Sequence, residues 1–533
     1  MNIERTSKDS QAVERVYLSD KEPSEVVVEV TRGSMVESIH RGVVAVVDAA
    51  GKIVCPGFVD SHSHSDSTVL LNPMMQSTVR QGVTTEIVGN CGYSPAPLTD
   101  LNRDADGSGP LGAGDAEKAT WSSFADFLEV IRETGTSENL AWFVGHNTLR
   151  QAVGVVGDKV DEEQMRGMER LLREAMDAGA LGMTTGLEFE PGRWATTEEI
   201  VRLAEVVGEY DGYYASHIRN RAKQLQPAID EFMEIVRRSN VHGQVSHLNV
   251  RFNTGAAEDA WERAVETLER EREAGLDVAA DCTPLLDGLG GPAAILPPWI
   301  TEEGPLRAAE LLSDPEVRAR VRTDCDRYWA FIQRGDWHRV NVLGSDRHTE
   351  IVGKNFLEIA ELWDKEPWDC LFDLLVESFR GEGHAGYIGR LFTEEHVVEQ
   401  IRHPLFNLSV DAASATIDGP PATRFAHPLH YAGMIHYLTC WVREKGVLSI
   451  EEGVRKMTSM PASRFGLRDR GVIRPGLAAD LVVLDYEELD DGSTVEEPLA
   501  YCRGVEYVLV NGTPVIDGGE HTGVRPGRNL RYG

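Results

Sequence analysis

The segment Pro56-Gly57-Phe58-Val59-Asp60-Ser61-His62-Ser63-His64 sets two histidines two residues apart at the end of an apolar run. On a strand, residues two apart share a face, so His62 and His64 project together. Two neutral imidazoles side by side suit a divalent metal such as zinc. The spacing alone fits two surface histidines equally well. His217 and His247 each close another strand-like run, in Tyr213-Tyr214-Ala215-Ser216-His217 and Gly243-Gln244-Val245-Ser246-His247. They are 30 residues apart, the length of one βα unit. Adjacent parallel strands would carry both to the same rim. Four histidines at strand ends are hard to explain by core packing.

Asp411 follows Leu405-Phe406-Asn407-Leu408-Ser409-Val410, a further strand. A lone Asp there is ordinarily a cap or turn residue. Beside a metal-activated water it would take a proton and return it to a leaving amine. Cys91, in Gly89-Asn90-Cys91-Gly92, ends the strand that starts near Gly82. It reads either as an inert buried thiol or as a thiolate that binds or bridges metal ions.

The elements that position these residues alternate. Gly82–Val88, Gly182–Gly186, Tyr213–His217, Gly243–His247 and Leu276–Asp281 read as strands. Asp161–Ala178, a segment beginning at Thr197, Ile229–Arg238 and Trp261–Ala274 read as helices. Strand–helix alternation means βα units and a parallel sheet. The stretch 287–363 breaks the rhythm and reads as an insertion. Glu25–Val30 and Gly42–Val47 near one end, and Asp480–Asp485 and Val505–Gly512 near the other, read as strands that could pair into one small sheet domain.

The chain has 533 residues, of which 41% are hydrophobic and 26% charged, ordinary for a globular protein. At about 150 residues per domain the length alone suggests three or four domains. Fifty-three Lys and Arg against 86 Asp and Glu give a net charge of −33. That surface repels phosphate backbones and anionic membranes, so neither nucleic acid nor membrane is expected as a partner. Met1–Lys21 lacks an apolar core of signal-peptide type, and no run of 18 apolar residues exists. The seven scattered cysteines contain no CxxC pair and suit a reducing cytoplasm.

The run Lys456-Met457-Thr458-Ser459-Met460-Pro461-Ala462, followed by Gly471-Val472-Ile473-Arg474-Pro475-Gly476-Leu477-Ala478-Ala479-Asp480-Leu481-Val482-Val483, resembles the amidohydrolase superfamily. Gly89–Gly92, Gly145–Arg150, Ser216–Arg219 and the tail Glu520–Arg528 resemble the N-acyl-D-amino-acid deacylases (D-aminoacylases) within it. The resemblance runs from about Lys52 to Gly533, and only the first 50 residues depart from it. It implies a distorted (β/α)8 TIM barrel spanning 56–470, with an insertion after strand 7. It also implies a small β-sandwich domain built from 1–55 and 471–533. It further implies one or two zinc ions, with His62 and His64 as a pair and His217, His247 and Cys91 around the tight metal. Cys91 then replaces the carboxylated Lys usual in the superfamily, and Gly182–Gly186 contains no Lys. Asp411 becomes the general base and acid. His348 and His146 are candidates for steadying the oxyanion.

Three substrate-binding positions of D-aminoacylases carry other residues here. A Lys is replaced by Asn249, a Tyr-bearing run by Asp281-Cys282-Thr283-Pro284-Leu285, and an Arg by Leu429. An unpaired carboxylate in a buried pocket costs several kcal/mol. The expected substrate is therefore a small neutral or apolar N-acyl amide with a linear, non-peptide C–N bond. Arg219, Arg251, Arg347 or Arg424 could rebuild a carboxylate clamp. The competing readings are a true N-acyl-D-amino-acid deacylase, a hydantoinase-like cyclic-amide hydrolase and a non-catalytic scaffold. A homo-oligomer is left open.

Overall fold

A computed structural model describes residues 13–19, 29–32, 43–49, 51–103, 119–155, 157–325, 327–419, 422, 426–495 and 497–532. Its centre is a ring of eight parallel strands. They are β1 (Phe58–Asp60), β2 (Val83–Val88), β3 (Asn139–Gly145), β4 (Gly182–Gly186), β5 (Tyr213–His217), β6 (His242–Val245), β7 (Val278–Cys282) and β8 (Phe406–Leu408). They hydrogen-bond in sequence from β1 to β8. Nearly every residue of these strands is buried, as strands covered by helices on one side and a packed interior on the other must be.

The helices between them begin where their caps dictate. Asp161 accepts from the N–H groups of Glu163 and Gln164, and Gln164 reaches back, so the helix runs Glu162–Asp177. It turns Met165, Met168, Leu172 and Met176 inward. Thr196 caps Thr197–Gly208 by accepting from the Glu199 N–H. Leu225–Ser239 starts earlier than the expected Ile229, because Leu225 and Ala228 already face the core.

The ring is distorted where it closes. β1 and β8 form no regular ladder. They are joined just beyond their ends by a single parallel bridge, Ser63 to Ala412. The Asp411 N–H donates to His62 O at 3.0 Å, and the His64 N–H donates to Ala412 O at 2.7 Å. Asp60 accepts from the Val410 N–H at 3.1 Å, and Ser61 Oγ donates to Leu408 O at 3.1 Å.

Between β7 and β8 lies an inserted three-stranded antiparallel sheet. Its central strand, Ala385–Arg390, is flanked by Asp287–Gly290 and Val340–Ser345. The sheet therefore extends past the expected limit of residue 363. Gly-rich Asp287–Gly290 gains its strand character from pairing with a partner 100 residues on, which no local pattern announces. The chain ends share a five-stranded antiparallel sheet, in which Ile53–Pro56 pairs with Leu481–Leu484. Val505–Val510 turns back through Asn511 and Gly512, both at positive φ, as the Asn-Gly pair requires. Val13–Ser19, Glu29–Arg32 and Val43–Asp48 form a separate three-stranded sheet. Of the expected strand Glu25–Val30, residues 25–28 lie outside the described residues. The tail pairs Asn529–Leu530 in parallel with Leu140–Ala141 of β3. Among the described residues no helix is long and apolar enough to cross a membrane.

Candidate active site

Six side chains meet at the C-terminal rim of the ring, each delivered by a strand end. His62 and His64 follow β1, Cys91 follows β2, His217 ends β5, His247 follows β6 and Asp411 follows β8. Three of the six, Cys91 (φ 52°), His247 (φ 35°) and Asp411 (φ 56°), hold left-handed backbone conformations. Such conformations cost about 1–3 kcal/mol each outside glycine and persist only where the surroundings enforce them. The Cys91 turn shows what enforces it. Asn90 Nδ2 donates to Ile87 O at 2.8 Å and Ser63 O at 3.3 Å. Thr184 of β4 donates to Gly89 O at 2.6 Å and accepts from the Gly92 N–H at 3.1 Å. Gly92, at φ +83°, lies so close to β4 that a Cβ would stand 2.7 Å from the Gly186 nitrogen.

Cys91 Sγ is the hub. It lies 3.4 Å from His62 Nε2, 3.6 Å from His217 Nδ1 and 3.5 Å from His247 Nε2. Zinc–sulfur and zinc–nitrogen bonds of about 2.3 and 2.0–2.1 Å at tetrahedral angles put sulfur and nitrogen about 3.6 Å apart. The donor set therefore fits a zinc-type ion. Asp411 Oδ1 lies 3.3 Å from His62 Nε2 and 3.1 Å from His64 Nε2. One ligand atom from each of His62, Cys91, His247 and Asp411 falls within 4.8 Å of the others. Asp411 and His64 keep 31% of their side chains exposed, whereas His62, His217 and His247 keep at most 3%. The rim thus opens on the Asp411 side.

The charges follow from this crowding. Burial alone would raise the Cys91 thiol, but the neighbouring His62 and hydrogen bonds from His217, His247 and His62 hold it well below the ordinary thiol range. Burial works against the Asp411 carboxylate too, yet His247, His62 and His64 hold it well below the ordinary carboxylate range. Both shifts favour the ionised forms, and the same contacts push His62 and His64 up. A thiolate and a carboxylate among four imidazoles is a cation-binding set.

A second layer surrounds the first. Glu188, two residues past β4, lies 2.7 Å from His217 Nε2, leaving Nδ1 to face Cys91. Arg251 grips Glu188 through both Nη atoms, at 2.9 and 2.6 Å. Asp281 of β7 accepts from the His247 N–H at 2.9 Å and from Ser409 Oγ at 2.8 Å. Arg221 Nη1 lies 2.7 Å from His247 Nδ1. Glu188 and Arg221 escaped the sequence reading. The available signal was an acidic residue just beyond a barrel strand and a second Arg two positions after Arg219.

The expected substrate contacts divide. Asn249 is buried near the cluster, its Nδ2 donating to His247 O at 2.6 Å while Oδ1 finds no hydrogen-bond partner among the described residues. Thr283 is buried just after β7. Leu429 is buried in the core, in the first turn of the helix Pro428–His436 that His427 caps. Three other expectations are corrected. Arg219 is bound to Glu231 and to the Arg193 and Ala195 carbonyls. His348 is bound to Glu377 at 2.8 Å inside the insertion. His146 is bound to Glu199 beside Arg150. Each is held by a buried or half-buried carboxylate rather than directed at the rim. Arg347 pairs with Glu382, Arg251 is committed to Glu188, and Arg424 lies outside the described residues.

The Amidohydrolase family profile matches residues 45–323 and 413–516. The chain belongs to the amidohydrolase family. It is a metal-dependent hydrolase of non-peptide amide C–N bonds. An N-acyl-D-aspartate deacylase of Alcaligenes xylosoxydans xylosoxydans is 32% identical over 501 residues, covering 93% of this chain and 88% of the relative. A D-aminoacylase structure with a binuclear metal centre is 29% identical with a TM-score of 0.71, covering 91% of this chain and 90% of that one. The N-acyl-D-glutamate deacylase of Bordetella bronchiseptica, solved with zinc and a phosphonate mimic of the tetrahedral intermediate, is 28% identical with a TM-score of 0.72 and the same coverage. This amidohydrolase shares with them the distorted barrel expected from the sequence.

Proposed function

We propose that this amidohydrolase is a zinc enzyme that cleaves a linear N-acyl amide, with Asp411 as the proton-transfer group. The observation that carries the proposal is the Cys91 Sγ with three histidine nitrogens at 3.4–3.6 Å and the Asp411 carboxylate beside them. His217, His247 and Cys91 would hold one ion. The His62/His64 pair, reached from the same sulfur, would hold a second. When bound, zinc polarises a carbonyl and lowers the pKa of water to about 7. Asp411 accepts the proton of the attacking water and later delivers it to the departing nitrogen. His62 and His64, within 3.3 Å of its Oδ1, fix the direction of that carboxylate.

The substrate we favour is a neutral or apolar amide. Leu429, Asn249 and Thr283 offer no cation where a carboxylate would need one. A second reading, hydrolysis of N-acyl-D-amino acids, has two supports. These are the named activities of the relatives and the buried Arg221 guanidinium, whose Nε has no hydrogen-bond partner among the described residues and lies 3.7 Å from Glu188 Oε2. Turnover of N-acetyl-D-methionine against a neutral N-acetyl anilide by the zinc-loaded protein separates the two. Fast, D-selective cleavage of the amino acid refutes the neutral-substrate proposal.

We also take 1–55 and 471–533 as parts of one small domain beside the barrel of 56–470. The pairing of Ile53–Pro56 with Leu481–Leu484 supports this. A cytoplasmic location fits the seven free cysteines.

A further inference from the structure

The insertion grips two loops of the barrel rim, and these loops carry the supports of one metal-site histidine. The loop after β4 contains Glu188, Phe189, Glu190 and Arg193. From the insertion, Leu296 O accepts from both Arg193 Nη atoms at 3.3 Å, and Thr301 Oγ1 donates to Glu190. The loop after β6 contains Arg251, Phe252 and Asn253. From the insertion, Arg339 packs 3.5 Å over the Phe252 ring and donates to Phe252 O at 3.2 Å. Asn253 Nδ2 donates to Asp336 at 2.7 Å.

Both grips converge on Tyr328. Its ring lies 4.5 Å beneath the Arg251 guanidinium, and its carbonyl accepts from Arg251 Nη1 at 3.2 Å. Tyr328 itself sits at φ +55°, a conformation that its surroundings must enforce. Arg251 in turn holds Glu188 in a two-pronged ion pair, and Glu188 lies 2.7 Å from His217 Nε2. All four side chains are buried. Phe189, from the same loop as Glu188, packs edge-on against His217 at 4.6 Å and reaches the Tyr328 ring at 6.0 Å. A carboxylate on the far nitrogen of an imidazole fixes which nitrogen presents its lone pair and how the ring is turned. Here that carboxylate is steered by a residue of the insertion.

We propose that the insertion positions the metal centre: Tyr328 seats Arg251, Arg251 fixes Glu188, and Glu188 aims His217 Nδ1 at the site beside Cys91. The proposal rests on His217 and Cys91 being metal ligands. Tyr328, Arg251 and Glu188 are positioning residues, since none of them touches the reacting atoms. By reciprocity, whatever shifts the insertion changes metal affinity, and metal binding steadies the insertion by the same factor.

The test uses the full chain loaded with cobalt(II), read by its visible spectrum and by competition with a chromophoric chelator. Glu188→Gln and Arg251→Met are expected to weaken cobalt binding by about 10–100-fold and to alter the d–d bands. Tyr328→Leu, which touches no ligand, is expected to weaken binding and alter the bands in the same direction. The double variant Tyr328→Leu/Glu188→Gln is expected to bind no more weakly than Glu188→Gln alone. A Tyr328→Leu protein indistinguishable from the parent, or additive losses in the double variant, overturns the proposal. If Arg251→Met does not fold, the Tyr328 and Glu188 cycle still decides. Cys91→Ser is the separate control: loss of binding there with no effect at Tyr328 rejects only the role of the insertion, whereas unchanged binding in Cys91→Ser rejects the metal site itself.

Discussion

Nη1 of Arg221 lies 2.7 Å from Nδ1 of His247, whose other nitrogen faces Cys91. A guanidinium only donates, so His247 Nδ1 is the acceptor in this contact. A ring that gives its Nε2 lone pair to an ion carries its proton on Nδ1 and cannot accept there. Arg221 and a metal ion therefore compete for His247. Arg221→Met is expected to tighten zinc binding by roughly tenfold, by removing both the competing donor and a nearby positive charge. Competition with a chelator measures this directly, and weaker binding in the variant contradicts it. Burial and the charge of Arg221 push His247 down to about 3. With that charge in place the ring is neutral across ordinary pH. Removing it lets the ring's pKa rise, so the tightening should be largest near pH 8 and shrink as pH falls toward 5.

Asp411→Asn is expected to lower kcat by about 10²–10⁴-fold, the range of lost general acid–base catalysis. The Cys91, His217 and His247 donor set is untouched by that change. The variant should retain its zinc, counted by elemental analysis of the purified protein. Loss of zinc together with activity makes Asp411 a ligand instead.

Gly92→Ala tests the Cys91 turn. The new Cβ would press on the Gly186 nitrogen at 2.7 Å, in a conformation of φ +83° that alanine resists. The expected cost is roughly 1–3 kcal/mol, read as a lower Tm, together with weaker metal binding because Cys91 is displaced. Gly157→Ala also lies at positive φ, with nothing within 4 Å of the new atom among the described residues beyond its chain neighbours. It should lower the Tm without touching metal affinity.

His436 offers a pH test away from the metal. Burial lowers it, but Asp491, with Nδ1 and Oδ2 2.6 Å apart, lifts it to about 9. A group with a raised folded pKa contributes its full stabilisation below the unfolded value near 6.5. That contribution is lost as pH rises through the folded value. The pair is expected to add on the order of 3 kcal/mol at pH 6 and little at pH 10. His436→Asn should therefore lose most of its Tm relative to the parent at pH 6 and converge with it near pH 10. An equal deficit at both pH values rejects the assignment.

The ring was legible because its signals are local. Strand alternation, the two-residue spacing of His62 and His64, and the Asp161 and Thr196 caps each sit within a few residues. Cys91 by its spacing read as either an inert thiol or a metal-binding thiolate, and only the family resemblance favoured the second, since its surroundings depend on β2 standing beside β1 and opposite β5 and β6. Glu188, Arg221 and Tyr328 lie in loops without periodicity, and their meaning arises only when segments 26 to 77 residues apart meet. Asp287–Gly290 shows the same limit for backbone. Its two-glycine sequence is a weak strand former, and its partner at Ala385–Arg390 supplies the missing hydrogen bonds.

The closure of the ring carries a consequence for synthesis. The site straddles the junction of the first and last barrel strands, so His62 and His64 wait for Asp411 until almost 350 further residues have been made. Such long-range contacts form late and slowly. A nascent or truncated chain ending before Phe406 carries His62, His64, Cys91, His217 and His247, yet lacks Asp411 and the strand that completes the ring. Assembly of the six side chains thus waits for closure of the ring between its first and last strands.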